Sequence, residues 1–265
     1  MLFILDLDGV IYRGSQVLPH APEAVAQIRS DGHAVFFLTN NSARSRHSYA
    51  QKLTAMGVPA HPNEIMSSSY ATALYLEEHG MHGCSVLVVG EEGIPAELSL
   101  AGVRFVEPTE DAIADCVVVG IDRRITYRKL RAAQHAILNG AKFIATNADA
   151  TYPLENGGIE PGGGAIVAAI QTCTGTAPIV IGKPQPYSVL KILELTSTPP
   201  RNAVIVGDRL DTDIALGRQL GIRSVLVLTG VTTREQVHAA PEEMSPDLVL
   251  PDLRNLVAAV AGRPN

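Results

Sequence analysis

Tryptophan is absent from this 265-residue chain, and only seven Tyr and five Phe are present. So few aromatic faces leave little surface on which to stack a nucleobase. Cysteine is scarce too: Cys84, Cys116 and Cys173 lie far apart and never in a Cys-x-x-Cys spacing, which excludes a disulfide framework or a zinc site and makes them expected core fillers. A formal net charge of -6 gives no sign of the basic surface that nucleic acid or an anionic membrane requires, so neither is an expected partner. No apolar run approaches the roughly 18 residues of a membrane span, and the N-terminal one is cut at Asp6, so no signal peptide is expected and the expected compartment is the cytoplasm. The eight His form no metal-ligand cluster and read as surface or core residues. No repeat, low-complexity tract or Pro-rich linker interrupts the chain.

What is present is apolar: 46% hydrophobic against 18% charged residues is enough for a well-buried core and for more than one domain. Short runs such as "LFIL", "AVFFL", "VLVV", "CVVVG", "KFIA", "IVI", "AVIV" and "SVLVL" read as strands, and segments of helical spacing separate many of them. One helix is expected near 21–31, with Pro22 in its opening turn and Gly32 as its stop. Another is expected near 126–139, opening at Thr126 and closing at Gly140. This alternation is that of parallel βαβ units.

Four of the strands end in polar residues: "FILDLDGV" on Asp6 and Asp8, "AVFFLTNNS" on Thr39, Asn40 and Asn41, "IVIGKP" on Lys183, and "AVIVGDRLDTDI" on Asp208. Ligands of open parallel sheets bind beyond the carboxyl ends of the strands, so the four endings are expected on one rim. Two carboxylates at the end of a buried strand repel unless a cation lies between them. Carboxylates, a hydroxyl, amides and one ammonium together suit a magnesium ion and a phosphoryl group.

In this order and placement the four stretches resemble the motifs of the haloacid dehalogenase superfamily, aspartate-nucleophile phosphotransferases: "DLDGV" the first, "LTNNS" the second, "GKP" the third and "GDRLDTDI" the fourth. The wide gap before the third motif, with "IATNADATYPLENGGIEPGGGAIVAAI" near its end, is similar to the NagD-like branch (subfamily IIA, phosphoglycolate-phosphatase-like), which carries a large α/β cap there. The resemblance implies an α/β fold with a Rossmann-like parallel-sheet core, residues 1–78 and 178–265, and an inserted cap that selects the substrate, residues 79–177. It also implies magnesium as cofactor, a small-molecule phosphate ester as partner, and a homodimer through the cap as a possible assembly.

Carried onto this sequence, the resemblance makes Asp6 the nucleophile that forms an aspartyl-phosphate, and Asp8 the general acid for the leaving oxygen and then the base for water. Asp6, Asp208 and the backbone carbonyl of Asp8 become metal ligands, while Thr39, Asn40, Asn41 and Lys183 meet the phosphoryl group. Each has a plainer reading: Asp6 as a turn cap, Thr39 as a satisfied strand hydroxyl, Asn40 and Asn41 as turn builders, Lys183 as a solvated amine. Asp213, expected in the first turn of the next helix, is favoured there by the helix dipole alone, or holds a metal-bound water or Lys183. "EPGGGAIVAAI" is expected to be a turn and a helix start rather than a dinucleotide loop, since no Gly-x-Gly-x-x-Gly follows a strand.

In "TNADATYPL" the loop after "KFIA" offers Asp149 and Tyr152 as residues that choose the substrate, set against a turn Asp and a packed Tyr. The family covers phosphoglycolate, sugar phosphates, nucleotides and pyridoxal phosphate, with p-nitrophenyl phosphate as an artificial substrate. Pyridoxal-phosphate members tend to carry His where Tyr152 stands. Two other readings remain open: a metal-independent dehalogenase of the same superfamily, for which Asp8 and Asp208 have no use, and a non-catalytic phospho-receiver or binding module, which needs no cap. Phosphate release with and without magnesium separates the three.

Overall fold

The computed structural model describes residues 1–153 and 158–262, so Leu154 to Gly157 of the stretch "TNADATYPLENGG" and the last three residues lie outside it. Two all-parallel sheets carry the chain. The larger runs in the spatial order Leu248–Leu250, Arg223–Val227, Ala203–Gly207, Leu2–Asp6, Ala34–Thr39, Ile65–Ser67. Its centre is fully apolar: every residue of Leu2–Leu5 is at most 1% exposed, as a strand covered on both faces requires. From Leu2–Asp6 the chain crosses to Ala34–Thr39 on one side, while Ala203–Gly207 pairs on the other, so the carboxyl end of this strand is a topological switch point.

The smaller sheet, in the order Ile179–Val180, Lys142–Ala145, Cys116–Val119, Ser85–Val89, Arg104–Val106, is built from the segment between the halves of the larger one. "IVI" therefore does not end on the rim of the larger sheet as expected: Ile179 and Val180 pair with Ile144 and Ala145, and the N–H groups of Ile181 and Gly182 donate to the carbonyls of Ala145 and Thr146. Strand periodicity shows that a segment is extended, but not which sheet supplies its partner.

The helices fall where their boundary residues put them. Ala21–Ser30 has Pro in its first turn, and Tyr127–Leu138 is capped by Thr126, whose hydroxyl accepts from the Lys129 N–H at 3.3 Å. Gly163–Thr174 begins at the triple glycine. Tyr152 is not in a loop: it lies in the short strand Thr151–Pro153, opposite Glu160 of Ile159–Pro161. Of the cysteines, Cys116 is buried and Cys84 half-buried, but Cys173 is exposed near a helix end and is no core filler.

The two sheets share apolar material. One buried cluster passes from Ile4 and Leu38 through Ala73 and Leu76 of helix Ser68–Glu78 to Ile94, Leu98 and Val118. Beside it, Arg46 and Glu97 form a buried ion pair at 2.9 Å, with the Arg46 guanidinium 3.4 Å over the Tyr70 ring. Among the described residues no helix is long and apolar enough to cross a membrane.

Candidate active site

The carboxyl ends of three adjacent strands converge. Asp6 ends the central strand, Thr39 ends its neighbour, and Asp208 directly follows Gly207 on the other side. After Asp6 the chain turns tightly, with the N–H groups of Val10, Ile11 and Tyr12 all donating to the Leu7 carbonyl, which leaves Asp8 half-buried beside Asp6. Asp208 is gripped by the loop beyond Arg223–Val227: the Val231 N–H donates to Asp208 Oδ2 at 2.8 Å, and a Cβ at Gly230 would stand 1.8 Å from that oxygen. Only glycine admits this approach. The same holds at Gly207, where a Cβ would meet Asp213 at 2.2 Å.

Lys183 arrives from the smaller sheet. Its Nζ donates to Asp6 Oδ1 and to Asp213 Oδ1, each at 2.7 Å, and it is 3% exposed. Asn40 fixes the Lys183 backbone on both sides: Oδ1 accepts its N–H at 2.8 Å, and Nδ2 donates to its carbonyl at 2.9 Å and to Asp149 Oδ1 at 3.2 Å. Asp213 lies in the wide turn Leu210–Ile214 rather than in the regular helix that follows at Ala215. Asn41 builds the turn after Thr39: its Oδ1 accepts from the Ala43 N–H, and its own N–H donates to Thr39 Oγ1.

Asp6, Asp208 and Asp213 each offer a carboxylate oxygen within 4.8 Å of the others, all three buried. Three buried carboxylates thus face one ammonium. Burial pushes the Asp6 carboxyl well up, against the pull of Lys183, and burial together with Asp213 raises Asp208 to about 7. Burial also raises Asp8, opposed by Lys52 and Lys183. For Lys183 burial works against the charge, but Asp213 and Asp6 outweigh it and hold the ammonium above its ordinary value. An all-oxygen donor set with excess negative charge fits a hard divalent cation such as magnesium.

The cavity here has a volume of about 70 Å³, room for roughly five waters at about 10–15 Å³ each. Asp6, Asp8, Thr39, Lys183 and Asp208 line its floor, and Asp149 and Tyr152 line its far side. Asp149 is held by Asn40 and by Asn147 Nδ2 at 3.0 Å, while the Tyr152 hydroxyl donates to Glu160. Sequence reading missed Asn147, Arg209 and the Gly230–Val231 loop. "LTGVT" after the strand "SVLVL" carried the only signal for the last of these, a glycine just beyond a strand end.

A family model described as haloacid dehalogenase-like hydrolase matches residues 3–104, and a second, HAD-hydrolase-like, matches residues 180–256. An acid sugar phosphatase of Staphylococcus saprophyticus is 34% identical over 96% of this chain and 96% of its own length. Among solved structures, the glycerol phosphate phosphatase of Mycobacterium tuberculosis in complex with magnesium superposes with a TM-score of 0.88 and 34% identity, over 96% of this chain and 75% of that one. The p-nitrophenyl phosphatase of Archaeoglobus fulgidus gives a TM-score of 0.88 and 36% identity, over 97% and 98%.

Proposed function

The chain belongs to the haloacid dehalogenase-like hydrolases, and from that premise we propose that Asp6 is the nucleophile with which it works as a magnesium-dependent phosphatase of small phosphate esters. The observation that carries this is the buried contact of Asp6 with Lys183 at the end of the central strand, beside Asp8 and Asp208. One Asp6 oxygen attacks phosphorus and the ester P–O bond breaks, with Asp8 giving a proton to the leaving oxygen. Asp8 then takes a proton from the water that cleaves the aspartyl-phosphate, which regenerates Asp6. Lys183 and the Thr39 hydroxyl steady the phosphoryl oxygens.

Asp6, Asp208 and the Asp8 backbone carbonyl would hold the magnesium, with Asp213 beside them bound to Lys183. The bound ion supplies neutralisation of the phosphate dianion. We assign residues 1–78 and 178–265 to the catalytic core and 79–177 to a cap. Two features support that division: four of the five strands of the smaller sheet lie in this segment, the fifth, Ile179–Val180, following just past its end, and Asp149 and Tyr152 reach the cavity from it. Sugar and glycerol phosphates are the substrates that the relatives' names suggest. Self-association, in this reading, goes through the cap, whose edge strand Arg104–Val106 leaves Phe105 46% exposed. Phosphate release from p-nitrophenyl phosphate should require magnesium and stop in chelator. Full activity in metal-free buffer overturns the assignment.

A further inference from the structure

An ester whose leaving group outgrows the catalytic cavity extends past it into the neighbouring space. Past Asp8, Asn41 and Tyr152, which line both, the cavity opens into a groove of about 710 Å³. That groove continues, across Ala43, Arg44 and Arg123, into a depression of about 600 Å³. Cations outnumber acids in the groove, whereas the depression beyond sets Arg44, Arg123, Arg124 and Lys129 against Glu91, Glu92 and Asp122. Arg44, Lys52 and Arg123 line the groove, against Glu160 as its one acid beyond Asp8, and Glu160 already accepts the Tyr152 hydroxyl.

The two guanidiniums converge. Both line the groove and the depression beyond it, and the groove's wall also carries Tyr49, whose hydroxyl donates to the Asn41 carbonyl at 2.9 Å. Arg123 uses Nε and Nη2 on the Glu91 carboxylate at 2.9 and 3.0 Å, which leaves Nη1 to point elsewhere. Arg44 is exposed and has no hydrogen bond or ion pair among the described residues.

Nor is Arg44 on a loose loop. The Ala43 carbonyl accepts from the Gly93 N–H at 3.2 Å, Ser42 Oγ accepts from the Ile121 N–H at 3.1 Å, and Arg46 is locked to Glu97. A guanidinium displayed on a fixed backbone, with its planar fork free, matches the geometry of a planar or tetrahedral oxyanion.

We propose that this groove is a second anion subsite, and that the preferred substrates are phosphate esters whose leaving group carries a further phosphate or carboxylate, read by Arg44 and Arg123. The proposal rests on the phosphatase reading above and deepens it: the relatives' names give a sugar or glycerol ester, and the groove adds the charge at its far end. Both side chains are solvent-exposed, so the preference should be moderate, about tenfold, and should weaken with salt.

Two matched pairs test it: fructose 1,6-bisphosphate against fructose 1-phosphate for a distal phosphate, and 3-phosphoglycerate against glycerol 3-phosphate for a carboxylate. The wild-type enzyme with magnesium should favour the more anionic member of at least one pair by about tenfold in kcat/KM, and the pair that responds identifies the anion. In the Arg44→Gln/Arg123→Gln double variant that ratio should fall to about one, and in wild type it should shrink in 0.3 M salt. Equal rates within both pairs, or a preference that survives in the double variant, overturn the proposal. Calorimetric binding of the same pairs to an Asp6→Asn protein reads the preference without turnover. If wild type fails to hydrolyse p-nitrophenyl phosphate the phosphatase reading falls, while the subsite still stands or falls on this binding ratio.

Discussion

Lys183 and Asp6 stand 2.7 Å apart across 177 positions of sequence, one following an edge strand of the smaller sheet, the other ending the central strand of the larger. The candidate site is therefore closed by a residue that the two sheets must bring together, and Asp213 is held by the same ammonium. Replacing Lys183 by Met leaves three buried carboxylates without a cation. We expect loss of phosphatase activity and destabilisation of about 3–5 kcal/mol in chelator at pH 8. The loss should be smaller at pH 5, where carboxyls can protonate, and smaller with magnesium. Urea unfolding under the four conditions checks this.

Asp8→Asn separates attack from proton transfer. Nitrophenolate leaves without a proton, so attack on p-nitrophenyl phosphate should survive, whereas attack on an alkyl phosphate should fall by about 10²- to 10⁴-fold. Breakdown of the aspartyl-phosphate suffers with both. A burst of about one nitrophenolate per enzyme, followed by slow turnover and a phosphoenzyme visible by mass spectrometry, is expected. Equal losses on both esters without a burst remove Asp8 from the acid/base role.

Magnesium binding should be linked to pH through Asp208. Its folded value of about 7 lies above the ordinary 3.8, because burial and Asp213 disfavour the ionised form. The metal-free fold thus binds this proton more tightly than the unfolded chain does, so Asp208's contribution to stability declines as pH rises from about 4 to 7 and then levels off. A cation needs the ionised carboxylate, so magnesium affinity rises over the upper part of that range. The increase in Tm caused by a fixed magnesium concentration should grow from pH 5.5 to about 7 and flatten beyond. A Tm shift independent of pH argues against Asp208 as a ligand.

Glu97→Ala tests how the sheets are joined. It leaves Arg46 buried with no carboxylate, both at its guanidinium and at its backbone N–H, which donates to Glu97 Oε1 at 2.6 Å. A loss of about 3–5 kcal/mol is expected in denaturant unfolding. Because the apolar cluster runs through helix Ser68–Glu78 to Ile94 and Leu98, excising residues 79–177 should also expose the Leu76 face and yield a core that aggregates in light scattering.

Sequence alone determined the elements and the chemistry they carry. Runs such as "LFIL" and "AVIV" read as buried strands, and Thr126 with Gly140, or Pro22 with Gly32, bracketed helices because caps and stops act through local backbone bonds. Asp6, Asp8, Thr39 and Asp208 were legible as rim residues because they interrupt apolar runs at strand ends. Tertiary structure decided everything that depends on which segments pair. It placed Ile179 and Val180 in the smaller sheet, so that Lys183 crosses to Asp6, and it set Tyr152 opposite Glu160. It also brought Asn40 to Asp149, Gly230 to Asp208 and Arg44 to the groove of Arg123. These contacts join residues on separate elements, and periodicity, which reports only the face that a segment buries, contains no term for the partner that covers it.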